Sequence, residues 1–406
     1  MENLRNFIGS RAGMDRRARW VGAWIVLLVV AAAVQATPTQ AATYYVANNG
    51  LDSSPCTKTM PCRSITRALS VAPAGSKIEV GPGVYGDIDG SGTVGDSVGE
   101  ETPSPPCMIL ITKSVTLVSK DGARSTVLDD PSVGTAVCIF TAGASGTVFG
   151  KLGKGFTIRS TLPGPPSGFG GTGLRINEAE GVKVQGNIAT GVQAIGSIGF
   201  SGEAKGATLK SNIATDHEYG FYLTGSEGLV LTGNLANRNV GVGMPGLGVG
   251  FFLELRQGES VTKNTAIANL HGFSISADSW SSFTFAKNTA LGNGVGMVID
   301  TAPLSGPVAV TLGKNNNFFG NGDRGLAPPF GPNCGLVIRN LRYAPPNPVT
   351  VNATGSFWGA ATGPGPNPAD AAGGAACSYD AGGAGITLTT TPVATAKFPL
   401  YPPKMK

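Results

Sequence analysis

One short phrase recurs through the middle of the chain and limits its fold more than any other feature. Asn-x-Ala appears at Asn187-Ile-Ala189, Asn212-Ile-Ala214, Asn234-Leu-Ala236, Asn264-Thr-Ala266 and Asn288-Thr-Ala290. Successive asparagines stand 25, 22, 30 and 24 residues apart. Three of them follow, by 14 residues, a glycine that opens an apolar run: Gly173-Leu-Arg-Ile176, Gly220-Phe-Tyr-Leu223 and Gly250-Phe-Phe-Leu253. Gly272-Phe-Ser-Ile275 and Gly296-Met-Val-Ile299 continue the series at slightly longer intervals. A fixed period of roughly 20–30 residues is the signature of a solenoid.

The runs within one repeat are short, β-branched or aromatic, and alternate between two faces. Gly, Asn and Ser interrupt them before any helix could form, which reads as strand and turn in succession. A coil of this length stacks each strand on its counterpart one coil later. The asparagines then align at one corner, where each side-chain amide can bond its neighbours in the stack and satisfy the turn backbone. The alanine beside each asparagine leaves room where the chain bends inward. Such repeats bury their apolar face only by stacking.

The glycine–run–asparagine coil resembles the right-handed parallel β-helix, the fold shared by pectate lyases and many bacterial β-helix repeat proteins. The resemblance is clearest over residues 173–317. Tyr44-Tyr-Val-Ala-Asn-Asn-Gly-Leu-Asp52, Pro61-Cys-Arg-Ser-Ile65, Gly75-Ser-Lys-Ile78 and Gly83-Val-Tyr85 are similar to the opening segment of such proteins. Phe357-Trp358-Gly359 followed by Thr362-Gly363-Pro364 is similar to their closing motif. The expected fold class is therefore all-β: a single-stranded right-handed parallel β-helix with an N-terminal capping helix. The resemblance leaves function open, because the fold hosts lyases, hydrolases, epimerases and non-enzymatic binders.

The expected organisation runs from an export signal or N-terminal anchor (residues 1–42) to a strand and capping helix (43–85). An acidic insertion (86–106), the coils (107–355) and a closing segment with tail (356–406) follow. In the first part, Arg16, Arg17 and Arg19 precede an apolar stretch from Trp20 to Ala36, and small residues lead to Ala42. Asp15 and Arg19 fit a twin-arginine signal poorly. The stretch is short for a membrane span and no later one is long enough, so no span is expected in the mature chain. A secreted, periplasmic or cell-surface location follows. Residues 1–42 hold five Arg and two acids, leaving 25 basic and 23 acidic residues beyond them. That near-balance, without any basic run, argues against a nucleic-acid partner.

Residues 63–72 give the one helical pattern, with Ile65, Ala68, Leu69 and Ala72 on one face. Residues 161–171 and 240–249 read as loops rich in glycine. Six cysteines in an exported chain point to disulfides, and proximity along the coils suggests Cys56–Cys62, Cys107–Cys138 and Cys334–Cys377 among the possible pairings. No Cys-x-x-Cys metal spacing occurs.

Few residues carry a chemical signature. The insertion contains Asp87-Ile-Asp89-Gly-Ser91-Gly92-Thr-Val-Gly-Asp96. Oxygen ligands at alternate positions with glycine at the sixth resemble the first two-thirds of an EF-hand or dockerin calcium loop. Asp87, Asp89, Ser91 and Asp96 are thus candidate calcium ligands. Val98 stands where the bidentate acid belongs, and Glu100 or Glu101 could replace it only through a different chain path. A solvated acidic loop explains the same residues. His217 lies five residues after Asn212, as Asn239, Asn269 and Asn293 follow their own ladder asparagines. It reads as filling an asparagine slot, although neighbouring Asp216, Glu218 and Tyr219 keep it a catalytic candidate. His271 carries less weight.

The outward positions of the glycine-led strand can also be read. The first gives Arg175, Tyr222, Phe252, Ser274, Val298 and Val337; the next gives Asn177, Thr224, Glu254, Ser276, Asp300 and Arg339. The coil around Ile198 cannot be placed in this register. Glu254 and Asp300, two coils apart, sit roughly 10 Å from each other at the backbone, near the range of an inverting glycosidase pair. Tyr222 and Phe252, flanked by Arg175 and Glu254, suggest a strip for the apolar face of a sugar. The competing reading packs both rings under the loop at 240–249. The leading expectation is an exported protein that binds an extended polysaccharide or cell-surface glycan. A lyase, hydrolase or epimerase acting on a uronate-containing glycan, and a structural or adhesive rod, are the alternatives.

Overall fold

The computed structural model describes residues 41–161, 170–241, 248–301, 306–322, 333–340, 348–364, 374–380, 385–401 and 403. The chain divides into two compact units, Met1–Ala42 and Thr43–Lys406. The expected export segment, most of both glycine-rich loops and most of the C-terminal tail lie outside the described residues. None of the described helices is long and apolar enough to cross a membrane.

Thr43–Lys406 is a parallel β-helix. Three long sheets of ten, nine and nine strands run along its axis, each strand pairing with its counterpart one coil earlier and one coil later. Each complete coil gives one strand to each sheet: Thr172–Asn177 to the ten-stranded sheet, Lys183–Gln185 to the second, Ile188–Thr190 to the third. The chain then re-enters the first sheet at Ile198–Glu203, in parallel register with Thr172–Asn177. Near the C-terminus the second sheet stops at Ser282–Ala286. Val308–Thr311, Val349–Asn352 and Ile386–Thr389 form a separate three-stranded parallel sheet.

The asparagine corner forms as the repeat predicts. Asn212 donates from Nδ2 to Asn234 Oδ1 at 3.1 Å and to the Val184 carbonyl at 2.8 Å, while its backbone N–H donates to the same Asn234 oxygen at 2.8 Å. The pattern repeats through Asn187, Asn234, Asn264 and Asn288 to Asn316. A second ladder runs beside it through Asn239, Asn269, Asn293 and Asn321. All ten asparagines are buried, and an unpartnered buried amide would forfeit about 1–3 kcal/mol, so the ladders fix the corner in register. The adjoining alanines pair with one another from Ala189 to Ala290. A Cβ placed on Gly199 would fall 2.9 Å from Ala214 Cβ, which explains both small residues. In the last ladder coil Phe318 takes the alanine position and packs 5.2 Å from the buried Trp358 ring.

Aromatic side chains fill the interior of the middle coils. Phe200, Phe221, Phe251 and Phe273 stack with centroids 5.0, 4.7 and 4.8 Å apart, close to the strand spacing of about 4.8 Å. The helix spans Ile65–Val71, shorter than the pattern over 63–72 because Ser64 caps it through Arg67 N–H and Ala72 is already extended. It buries Ile65, Ala68 and Leu69 against the first coil. Three disulfides close the expected pairs, Cys56–Cys62, Cys107–Cys138 and Cys334–Cys377, leaving no free cysteine.

The insertion at 86–106 is not simply a solvated loop. Glu101 is 1% exposed and accepts the backbone N–H groups of Ile65 and Thr66 at 2.8 and 2.7 Å, filling two of the orphan donors of the helix start. Burial pushes its carboxyl up, against the pull of those two N–H groups.

Candidate functional site

The ten-stranded sheet presents its outward side chains in rows along the axis. Pairing places Arg175 beside Ser201, Ser201 beside Tyr222, Tyr222 beside Phe252 and Phe252 beside Ser274. The row read from sequence is therefore correct, and the coil that sequence could not place enters it between Arg175 and Tyr222. That coil contributes the smallest side chains of the stretch. Ser201 is followed by Gly202 at φ 131°, where an added Cβ would sit 1.8 Å from the Ile176 carbonyl oxygen. No other residue fits so close a backbone approach.

A cleft results. Its volume is about 280 Å³, and Arg175, Asn177, Ser201, Gly202, Glu203, Tyr222 and Thr224 are among its lining residues. The Tyr222 and Phe252 rings stack with centroids 4.8 Å apart and planes 6° from parallel. Phe252 backs one face of Tyr222, and the opposite face looks across the Ser201 coil toward Arg175. Tyr219 packs edge-on against both rings, at 5.3 and 6.2 Å, and fixes their orientation. Burial pushes the Tyr219 phenol up to about 12, with Glu218 and Tyr222 adding to the effect. Burial, then the neighbouring Glu254 carboxylate, also raises Tyr222. Both hydroxyls remain donors near neutral pH, and Glu254 is placed beside the ring pair.

Arg175 is exposed, with its guanidinium 5.8 Å from the Phe140 centroid. Among the described residues, neither it, Glu203 nor Glu254 forms an ion pair. Arg175, Tyr222, Phe252 and Glu254 thus share one stretch of surface. Glu203, which sequence reasoning missed, joins them at the cleft. The signal that could have found it is the glycine-interrupted run Ile198-Gly-Phe-Ser-Gly-Glu203, whose Phe200 continues the interior aromatic stack. Residues 242–247, under which the rings were alternatively expected to pack, lie outside the described residues.

The weak catalytic candidates fare differently. Asp300 is two strands from Glu254, with Ser276 between. It is held by Arg339, whose Nε and Nη2 each donate to it at 2.5 Å. A bidentate guanidinium spends the carboxylate's acceptor directions. Glu254 and Asp300 are accordingly not a pair of free acids. His217 is fully buried; its backbone N–H donates to Asn239 Oδ1 at 3.1 Å, so it heads the second ladder in an asparagine's place. Burial draws its imidazole down to about 4, against the pull of the Ala189 carbonyl and Asp216. A side chain sealed from solvent cannot reach a substrate. His271 is also buried, and burial, with Arg339 nearby, draws it to about 4.

The acidic loop assembles with one correction. Asp87 and Asp89 converge with Glu100, their carboxylate oxygens within 4.8 Å of one another. Ser91 and Asp96 instead bond each other, Oγ to Oδ2 at 3.0 Å. Val98 is fully exposed, and the chain doubles back so that Glu100 enters. Burial pushes Glu100 up, but the N–H groups of Ile88, Gly95 and Ser97 outweigh it and leave the carboxyl lowered. Three converging carboxylates are donors a hard cation favours. Yet Asp87 also accepts the N–H groups of Gly90 and Gly92 at 2.7 and 2.8 Å, so the loop holds its own shape by amide bonds.

Residues 139–319 match the family model described as a right handed beta helix region. The chain is a right-handed parallel β-helix. Residues 48–92 of this β-helix protein match a model described as a protein of unknown function (DUF1565). No curated protein sequence matches it. Among solved structures it is similar to a pectate lyase, at 15% identity over 88% of this chain and 79% of that one, with a TM-score of 0.45. A rhamnogalacturonan lyase matches at 14% identity over 76% and 82%, with a TM-score of 0.42. A lacto-N-biosidase from Eubacterium ramulus matches at 10% identity over 93% and 72%, with a TM-score of 0.46.

Proposed function

We propose that the β-helix protein is exported and holds an extended polysaccharide along the outer face of its ten-stranded sheet, with one saccharide ring stacked on Tyr222. The observation that carries this reading is the Tyr222–Phe252 stack, whose open face borders the cleft over Ser201 and Gly202. Arg175 and Tyr222 stand two strand spacings apart, about 10 Å, which leaves room for a ring between them. An apolar sugar face packs on an aromatic plane, while Ser201, Asn177 and Glu203 supply hydroxyl partners at the edge. Three disulfides support an oxidising destination.

The test is Tyr222→Ala and Phe252→Ala, made singly, with melting compared against glycan retention on affinity gels. Tyr222→Ala is expected to weaken retention about tenfold or more, the loss of a stacking contact worth roughly 1.4 kcal/mol, with melting nearly unchanged. Phe252→Ala removes the backing ring and lowers both modestly. Unchanged retention with lost melting in both variants would mean the rings serve packing alone, and the binding reading would fall.

A further inference from the structure

The charges on this face narrow the class of glycan, an argument that rests on the binding reading above. From Thr135–Phe140 to His271–Ala277, the outward rows register as one continuous surface. Within those strands the surface carries one permanent cation, Arg175, and two carboxylates, Glu203 and Glu254; the exposed Arg256 follows just past Leu255. The cation lies at one end of the cleft over the Phe140 ring. The carboxylates flank Tyr222 in the adjacent row: Glu203 one strand before it, Glu254 one strand after. The next basic side chain along that row, Arg339, is bound to Asp300 and adds no net charge.

We infer that the polysaccharide held here is free of acidic groups and rich in hydrogen-bond donors, a neutral or amino-bearing chain and not a polyuronate. A polyuronate carries a carboxylate on every ring. A ring on Tyr222 lies over the Ser201–Glu203 strand and could direct its carboxylate to Arg175, but Glu203 borders the same cleft and Glu254 stands one strand beyond Tyr222, and like charges at close range disfavour the complex. Ionised carboxylates accept only, so their natural partners are sugar O–H or N–H groups. An exposed carboxylate is also free to pair with an ammonium group. The arrangement selects against acidic chains by repulsion as much as for donor-rich ones by attraction.

The test measures retention of the full mature chain on three polymers at low and high salt: a neutral glucan, a glucosamine polymer and polygalacturonate. The wild-type protein is expected to be retained about tenfold or more better by the neutral or the amine polymer than by polygalacturonate. The double variant Glu203→Gln/Glu254→Gln is expected to narrow that gap by strengthening polygalacturonate retention. Both side chains reach solvent, so glutamine leaves melting unchanged, and a melting curve checks this. Equal or stronger wild-type retention on polygalacturonate, lost in Tyr222→Ala, would overturn the charge inference and leave the binding reading standing. Retention on no polymer would overturn both.

Discussion

The two halves of the ten-stranded sheet use the same outward row for opposite ends. In the coils from Thr172 to Leu255 the row reads Arg175, Ser201, Tyr222, Phe252: large side chains around a gap, partly open to solvent. Toward the C-terminus the same row reads Val298, Val337 and Cys377. Val298 and Val337 are 0% exposed and cluster with Val295 and Cys334, and the Cys334–Cys377 disulfide closes the group. The next row shows the same contrast, with Glu203 and Glu254 outside any ion pair among the described residues and Asp300 held by Arg339. Position in the repeat thus fixes where a side chain stands, and what its neighbours supply decides whether it faces solvent or core.

The sharpest way to break the comparison is to put a charge into the closed half. Val298→Asp leaves an unpaired carboxylate in an apolar cluster and is expected to cost about 4 kcal/mol or more, read as a large fall in the urea midpoint. The same change at Ser201, beside the open cleft, is expected to cost far less. If the two variants melt alike, the closed half is not a core.

The ladders divide along the same line. Asn239, Asn269, Asn293 and Asn321 run through the later coils, whereas the cleft coil ends the ladder with His217. His217 and His271 titrate near 4 when folded and near 6.5 when unfolded. The unfolded chain therefore binds more protons between those values. Stability is intact above pH 6.5 and falls as the pH drops toward 4, by about 3 kcal/mol for each buried histidine. His217→Asn extends the ladder and is expected to remove roughly half of this acid sensitivity, measured as urea midpoints from pH 7 to pH 4. An unchanged pH profile would show that His217 does not remain neutral in the fold.

A smaller effect is expected at the ion pair of the closed half. Arg339→Ala frees Asp300 from a bidentate pair of partly buried groups and should cost about 2 kcal/mol. Glycan retention should not change, because neither residue borders the cleft. The smallest effect on stability belongs to Ser201→Phe, which would continue the outer ring stack into the gap. Melting is expected to stay within about 1 kcal/mol of wild type while retention is lost; retained binding would place the ligand elsewhere on the face.

The sequence by itself determined the period, the parallel stacking, the asparagine corner and the outward row from Tyr222 to Val337, and it suggested the cysteine pairs that the structure closes. These features come from turn chemistry and alternation, which act over a few residues and repeat at near-constant spacing. It left out the coil at 198–203, because a cleft is made by missing side chains, and Ser201-Gly202 reads as turn composition. It also offered Asp300 as a candidate catalytic acid and Asp96 as a candidate cation ligand, and left Glu100 and Glu101 undecided. Only the tertiary structure assigned those groups. Arg339 lies 39 residues from Asp300, and Ile65 lies 36 from Glu101. A carboxylate's partner, and therefore its chemistry, is set by which coil folds beside it, a distance along the chain over which residue patterns carry no information.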